Sequence, residues 1–247
     1  MKKLMIAVAA AVCGSVFALE SANVVGYNSA ATQAGDNIYR VATFKGVAGE
    51  DTSYTLGQIC VGESDFAWYN NDYVATVDPY GSQDTYYTWD PDTSSWYECD
   101  AGCNINFDAP ANDIALPLNQ AVIIRSEYGE DLTFAGSVID GDSELFGIAG
   151  DNTYTGNFTP VTITLGDIVV GDADFAWYNN DYIATIDAYG SQETYYTWDP
   201  DTSSWYECDA GCNIDYDAPA NSTEFDPNMG FLFRTEYGAS INLPSPL

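Results

Sequence analysis

The chain contains two copies of one unit, and this internal repeat restricts the possible folds more than any other feature. Residues 66–112 and 175–221 align without a gap at an offset of 109, and they differ at six of 47 positions. Upstream, residues 34–37 match residues 149–152 at an offset of 115, so the second copy is shorter there. A repeat of this length indicates two homologous domains in tandem, each with a core of its own.

The first residues have the composition of a secretory signal. Two lysines precede an apolar run at 4–12, and small residues then end at Ala18, where we expect cleavage. This places a signal peptide at 1–18, unit one at 19–138 and unit two at 139–247. The expected location is secreted, either extracellular or at the cell surface. No later apolar stretch is long enough to span a membrane.

Each unit has the pattern of an all-β domain. Short runs rich in Val, Ile, Thr, Tyr, Phe and Trp alternate with Asn, Asp, Gly and Pro, and no apolar stripe of helical period follows the signal. We predict two tandem homologous domains of β-sandwich or barrel-like type. The predicted strands are 66–69 and 73–77 around a hairpin turn at 70–72, 86–89 and 96–99 around a turn at 90–95, and 122–126 and 132–137 around 128–130. Trp89 and Trp96 are expected to meet across the second turn.

Charge and composition exclude several classes of function. The chain has 6 Lys+Arg, 37 Asp+Glu and no His, for a net charge of −31. Loss of Lys2 and Lys3 with the signal leaves 4 basic residues against 37 acidic ones, or −33. Nucleic acids and anionic membranes bind clustered Lys and Arg, so neither is an expected partner. Without His, the Ser-His-Asp and Cys-His catalytic arrangements and His-ligated metals are unavailable.

Carboxylate pairs that hydrolyse glycosides remain the enzymatic alternative. Pairs arise by chance in so acidic a chain, and both units repeat the same acids without Arg, Lys or His around them. We therefore expect no enzymatic activity and no catalytic residues.

The cysteines form two short, identical motifs. Cys99 and Cys103 recur as Cys208 and Cys212, each pair in the sequence Cys-Asp-Ala-Gly-Cys. In an exported protein this spacing favours local disulfides, Cys99–Cys103 and Cys208–Cys212. Thiolate binding of a metal is the alternative, although two Cys are too few ligands within a unit. Cys60 has no equivalent cysteine and is expected to be a buried thiol.

Acidic turns raise the question of calcium. Asp90 and Asp92 flank a proline, and Asp199 and Asp201 repeat this arrangement. Calcium requires six to eight oxygens, and the Gly and Glu of an EF-type loop are missing, so an Asp-Pro turn accounts for these residues. We expect no cofactor and no metal cage, with weak Ca²⁺ binding at these four carboxylates as the alternative.

Repeated aromatic residues suggest glycans as a second kind of partner. Trp and Tyr can form stacking platforms for sugars, and Trp68, Trp89 and Trp96 all recur in unit two. Strand alternation places Tyr87 and Trp89 on one face of their strand, and it leaves the other face available. A carbohydrate-binding or adhesive module is therefore the alternative function.

The edges of the repeat suggest self-assembly. The segment Ser21-Ala22-Asn23-Val24-Val25-Gly26-Tyr27 aligns with the junction between the units but has no unit before it. An unpaired strand can add to the sheet edge of another copy, and such a head-to-tail contact grows a filament. This contact would mimic the covalent junction between the units. The alternative is that residues 19–27 fold back on their own unit.

Four stretches carry a resemblance. Residues 21–27, 55–59, 116–121 and 134–138 resemble a group of uncharacterised exported β-domain proteins of environmental bacteria. The match spans most of unit one, and unit two departs from it at 225–230. The group implies no particular activity. The assembly resembles that of donor-strand pilus subunits, from which this chain departs by its tandem repeat and its C-x3-C loops. Together these features predict a structural subunit of a pilus-like extracellular filament, a homopolymer.

Overall fold

The fold is all-β, as the sequence predicts. The computed structural model describes residues 25–30, 32–42, 44–45, 54–62, 65–78, 80–116, 120–138, 143–170, 175–187 and 189–244. The predicted signal peptide, residues 1–18, lies outside the described residues, as do Ser21 to Val24.

Unit one contains twelve described strands, most of them short. They are β1 Val25–Ala30, β2 Asn37–Val41, β3 Phe44–Lys45, β4 Tyr54–Thr55, β5 Ile59–Cys60, β6 Tyr73–Val77, β7 Gln83–Asp90, β8 Ser95–Cys99, β9 Ile105–Pro110, β10 Ala115–Leu116, β11 Ala121–Arg125 and β12 Leu132–Val138. Two single 3₁₀ turns, Leu56–Gln58 and Trp68–Asn70, connect them.

Unit two repeats this order, except that residues 159–160, the counterparts of β3, form no strand. Its described strands are β13 Ser143–Phe146, β14 Asn152–Gly156, β15 Ile163–Thr164, β16 Val169–Val170, β17 Tyr182–Ile186, β18 Gln192–Asp199, β19 Ser204–Cys208, β20 Ile214–Pro219, β21 Glu224–Phe225, β22 Gly230–Arg234 and β23 Ser240–Leu243. Its 3₁₀ turns are Leu165–Asp167 and Trp177–Asn179.

Each unit has one large sheet and smaller ones. The large sheet of unit one has the order β2-β11-β6-β7-β8-β9, and that of unit two has the order β14-β22-β17-β18-β19-β20. In unit one, β12 pairs with β1 on one side and with β3 and β5 on the other, and β10 pairs with β4. In unit two, β23 pairs with β13 and β16, and β15 pairs with β21. All these pairings stay within 25–138 or within 143–243.

The core of unit one lies between its large sheet and its smaller sheets. Val74 and Ile124 point from the large sheet towards Leu132 and Phe134 of β12, and these four side chains are buried with the fully enclosed Trp96. Burial of this much aliphatic and aromatic surface is the main force that holds such a domain together.

The opposite face of each large sheet is also apolar and buried. In β6, Tyr73, Ala75 and Val77 alternate with Val74 and point away from the core of unit one. The same positions of unit two, Tyr182 and Ala184 among them, belong to the same apolar cluster. The two units therefore meet through the outer faces of their large sheets.

One predicted hairpin is confirmed and another is wrong. Trp89 and Trp96 are directly opposite in the β7–β8 hairpin, with ring centroids 5.7 Å apart. Residues 66–69 do not form the predicted strand. The chain instead makes a 3₁₀ turn at Trp68–Asn70, and Asn71 takes a left-handed conformation with φ of 57°. The positive φ expected of Asn is present, but it ends a 3₁₀ turn instead of joining two strands.

The third predicted pair of strands forms, but its members do not pair with each other. Strand β11 belongs to the large sheet and β12 to a smaller one, so the turn around 128–130 carries the chain from one layer to the other. Gly129 supports this crossing with a φ of +77°, a value that favours glycine.

Candidate functional site

The described part of the predicted interface strand folds back on unit one. Val25, Gly26 and Tyr27 begin β1, which pairs antiparallel with β12 from Val25 opposite Ser137 to Ala30 opposite Leu132. Within one chain, the strand therefore occupies the β12 edge of its own unit. Exchange of the strand between chains remains a prediction.

From Gly26 to Ala30, where the structure describes the side chains of β1, they contribute little to its attachment. Tyr27 is 83% exposed and Ser29 is exposed, whereas Ala30 is buried in the core. Asn28 Nδ2 and Ser137 Oγ, on the two paired strands, are buried and have no hydrogen-bond partner among the described residues. An unsatisfied buried polar atom costs about 1–3 kcal/mol, so β1 is held mainly by its backbone ladder.

The junction between the units differs from the expected one. Strand β13 is the counterpart of β1, and its Leu145 lies opposite Ile241 of β23 in the register that places Ala30 opposite Leu132. The covalent junction is therefore not a strand addition from one unit to the other. An exchanged strand would copy the β1–β12 pairing inside unit one, and not the junction.

The cysteines of each predicted disulfide lie in contact. Both pairs are thiols in the structure. A hydrogen bond to Cys103 and burial raise the pKa of the Cys99 thiol, and the same hydrogen bond lowers the pKa of Cys103. Cys208 and Cys212 repeat this arrangement. The two disulfides remain predictions, and this proximity is compatible with them. Cys60 is partly exposed, which corrects the expectation that it is buried.

The acidic turns use their carboxylates internally. Asp90 is buried, and its two oxygens accept hydrogen bonds from the Asp92 N–H at 3.1 Å and from Thr93 Oγ1 at 2.8 Å. Asp199 makes the same bonds in unit two, with the Asp201 N–H at 3.1 Å. This geometry is that of a turn stabilised by its first Asp. The described residues contain no group of three or more His, Cys, Asp or Glu that could hold a metal ion.

A second pair of carboxylates, at Asp72 and Asp181, escaped the sequence reasoning. Asp72 is fully buried, and its two carboxylate oxygens accept hydrogen bonds from the Glu127 N–H at 2.7 Å and the Ala67 N–H at 3.0 Å. Its carbonyl oxygen accepts from Thr88 Oγ1 at 2.6 Å and from the thiol of Cys103 at 3.7 Å. Burial raises the pKa of Asp72, and the two N–H donors partly offset that effect.

The same network recurs in unit two. Asp181 accepts from the Glu236 N–H at 2.7 Å and the Ala176 N–H at 3.0 Å, and its carbonyl oxygen accepts from Thr197 Oγ1 at 2.7 Å. In both units this Asp is linked by hydrogen bonds to the residue before the second 3₁₀ turn, to the large sheet and to the second cysteine of the Cys-x3-Cys loop. The signal in the sequence is an acid directly before a buried strand.

The aromatic residues singled out by strand alternation do not form an exposed platform. Tyr87 is buried in the core of unit one and Trp89 packs against the same core, which confirms that they share a face. Tyr86 packs against the apolar cluster between the units. Tyr87 is buried, whereas Tyr86 and Trp89 are partly buried.

The second 3₁₀ turn of each unit, Trp68–Asn70 and Trp177–Asn179, instead exposes a pair of aromatic rings. Trp68 is 40% exposed and Tyr69 57%, with ring centroids 5.7 Å apart at 74°. Trp177 and Tyr178 have the same separation and angle in unit two. The turn is fixed by Asp72 and by a 2.6 Å hydrogen bond from Asn70 Nδ2 to the carbonyl of Asp65. These Trp–Tyr pairs are exposed aromatic features of a strongly acidic protein.

Two of the described arginines form ion pairs with glutamates of the same unit. Arg125 lies 2.8 Å from Glu127, and Arg234 lies 3.2 Å from Glu236 at the equivalent place. Burial lowers the pKa of Arg40 to about 10. Little positive charge is left to offset the acidic surface.

No helix in the described part of the chain has the length and apolar character needed to cross a membrane. No protein-family model, curated protein or solved structure matches the chain. The geometry of the chain itself therefore carries the functional argument.

Proposed function

We propose that the protein is a secreted structural subunit of an extracellular, pilus-like filament. Copies assemble head-to-tail when β1 leaves its own β12 and adds to the β12 of a neighbouring subunit. The observation that carries this proposal is the attachment of β1, a terminal edge strand that buries Ala30 and leaves Tyr27 exposed. An edge strand with little side-chain burial is the kind of element that can be exchanged between copies.

The exchanged contact has the same hydrogen bonds as the fold-back contact, so concentration decides between them. The strand of one chain competes with an intramolecular strand, whose effective concentration is on the order of mM for a short flexible connection. The mature chain carries a charge of −33, obtained as 4 basic minus 37 acidic residues, so copies repel each other. Assembly is therefore favoured by dense packing of subunits and by salt or divalent cations that screen their charge.

Deletion of residues 19–27 tests this function. It removes the residues before β1 and its first half, so the variant should form no filaments where the mature wild-type chain does. Negative-stain electron microscopy of both proteins, at chain concentrations up to about 1 mM and in physiological salt, measures the difference. Filaments that persist in the deletion variant contradict the proposal.

An extracellular carbohydrate-binding or adhesive module is the second candidate. The exposed Trp68–Tyr69 and Trp177–Tyr178 pairs favour it, since aromatic rings stack on the apolar faces of sugars. The acidic surface favours neutral over anionic polysaccharides. A module of this kind would remain monomeric and would need no strand exchange.

Replacement of Trp68 and Trp177 by Ala should weaken binding to a neutral polysaccharide by about tenfold, the equivalent of one lost aromatic contact. Affinity gel electrophoresis with a panel of neutral glycans measures this change. The control replaces the equivalent exposed tyrosines Tyr128 and Tyr237, which belong to neither ring pair. Equal retardation of both variants, or none of the wild type, excludes this function.

A further inference from the structure

The two units meet through equivalent residues. Tyr39 of β2 and Tyr154 of β14 are counterparts at the 115 offset, and their rings stack with centroids 5.9 Å apart at 27°. Both are buried. In a contact between two copies of one structure, a residue touches its own counterpart only near a two-fold axis.

The neighbouring contacts are reciprocal, as a two-fold axis requires. Gly81 and Gly190 are counterparts at the 109 offset, and each lies against the tyrosine of the other unit. A Cβ atom at Gly190 would lie 2.5 Å from the Tyr39 hydroxyl oxygen, and one at Gly81 would collide with the Tyr154 hydroxyl. The hydrogen bonds of the two hydroxyls differ: Tyr154 donates to the carbonyl of Tyr80 in the other unit at 3.3 Å, whereas Tyr39 donates to the carbonyl of Gly81 in its own unit at 2.9 Å.

The strands around the axis follow the same rule. Strand β2 lies against β22, and β14 lies against β11, the counterpart of β22. On one side of the axis only, Arg40 and Met229 form a bridge, and no bridge joins their counterparts Thr155 and Gln120, which the structure also describes. The Val41 N–H donates to the carbonyl of Asn228 at 3.1 Å. The apolar cluster between the large sheets holds matching residues from both units, namely Tyr73, Ala75 and Ile123 with Tyr182, Ala184 and Leu232.

The electrostatics of the contact fit a buried, uncharged interface. Burial first, and then the neighbouring Tyr154 and the carboxylates of Asp187 and Asp78, raise the pKa of Tyr39 to about 12. Burial raises the pKa of Tyr154 as well. Both hydroxyls are therefore neutral at the axis at physiological pH.

We propose that this outer face is self-complementary, so that the chain is a covalently linked pseudo-dimer and the face is a docking surface for a second copy of the same unit. Unit two can pair with unit two of another chain through the contacts that join the units here, because its Gly230 leaves room for the tyrosine at the axis. Unit one has Ala121 at this position, and a Cβ atom at Gly230 would lie 2.7 Å from Tyr39 Cβ, so a pair of two first units cannot form the same contact. This docking surface is distinct from the β1–β12 edge and does not depend on strand exchange.

A chain cut between the units after folding tests the proposal. A protease site is placed in residues 139–142, and the folded full chain is cleaved and examined by native mass spectrometry at about 10 μM, where a specific interface of micromolar affinity stays largely bound. We expect the halves to stay bound and, after incubation, to form a homodimer of unit two beside the original pair. Dissociation into single halves, or persistence of the original pair alone, overturns the proposal.

A matched pair of glycine variants shows whether the contact seen here is responsible. Gly81→Ala with Gly190→Ala inserts methyl groups at the axis, and we expect association of the halves to weaken about tenfold or more. Gly35→Ala with Gly150→Ala is the control, because these counterparts have similar φ values of +77° and +76° and nothing within 4 Å of the added Cβ. Equal weakening by the two pairs contradicts the inferred face.

The uncut chain gives an independent measurement if a cut half unfolds. Hydrogen exchange at the Val41 N–H, which donates across the interface, should be faster in the Gly81 and Gly190 variant than in the control variant. Equal protection in both also overturns the inferred face. All these measurements can be repeated with β1 covalently fixed to β12, so failure of strand exchange and failure of this docking surface are distinguishable.

Discussion

Asp72→Ala is expected to lower the free energy of unfolding by about 1–4 kcal/mol, because one buried and one partly buried N–H donor lose their acceptor, and a fully buried donor without an acceptor costs about 1–3 kcal/mol. The donors are those of Ala67 and Glu127, which lie 3.0 Å and 2.7 Å from the carboxylate. Asp72→Asn keeps one acceptor oxygen and should lose about half as much. Urea unfolding followed by tryptophan fluorescence measures the difference.

Two controls sharpen this prediction. Asp181→Ala removes the same network from unit two and should be destabilising by a similar amount, since the bond lengths agree. Asp92→Ala changes an exposed carboxylate of a nearby turn and should alter stability by about 0.5 kcal/mol or less. An Asp72→Ala protein as stable as Asp92→Ala would show that the buried carboxylate does not hold the turn in place.

The pH dependence of this stability has a definite sign. Burial raises the pKa of Asp72 above its ordinary value of 3.8, so the folded state binds a proton more readily than the unfolded chain. The resulting contribution to stability is fully present below pH 3.8 and is lost as pH rises through the folded pKa. The wild type should therefore gain stability relative to Asp72→Asn as the pH falls into this window. The opposite trend would contradict the burial of the charge.

A covalent link between β1 and β12 is expected to abolish assembly. Tyr27 and Ala135 are opposite each other in the β1–β12 pair, and cysteines at both positions can form a disulfide across the strands. The double variant, oxidised while dilute, keeps β1 on its own unit and should remain a single chain in sedimentation velocity at concentrations at which the wild type polymerises. The reason is that the donor strand can no longer leave.

Reduction of the same variant should restore assembly, and the wild type in the same reductant controls for loss of the other predicted disulfides. The single variants Tyr27→Cys and Ala135→Cys control for the substitutions themselves. Oxidised double variant that still polymerises would exclude exchange of β1 as the assembly contact.

Features that depend on neighbours in the chain were predictable from the sequence. The Trp89–Trp96 hairpin was predicted because its turn and its alternating strands lie within a few residues of each other. Residues 66–69 are wrongly predicted as a strand because a short apolar run fits a strand and a 3₁₀ turn equally well. Asp72 decides between the two, because its carboxylate accepts a hydrogen bond from the backbone N–H of Glu127, 55 positions away in the sequence.

The contact between the units is visible in the sequence as a strand that is apolar on both faces. Strand β6 carries buried residues on both faces, Val74 towards its own core and Ala75 towards the other unit. A run that is apolar on both faces indicates a sheet covered on both sides.

The partner of β1 is a different case, since β12 of the same chain and β12 of another copy offer identical pairing, and the sequence cannot distinguish them.

The most direct measurement of the central proposal uses the Tyr27→Cys, Ala135→Cys variant, reduced, concentrated to about 1 mM, where an exchanged strand competes with the intramolecular one, and only then oxidised. If β1 is exchanged, the new disulfides join different chains. A non-reducing denaturing gel should then show a ladder of covalent oligomers that collapses to a single band on reduction. A single monomeric band without reductant would mean that β1 stays on its own unit, and this result would contradict the proposed filament.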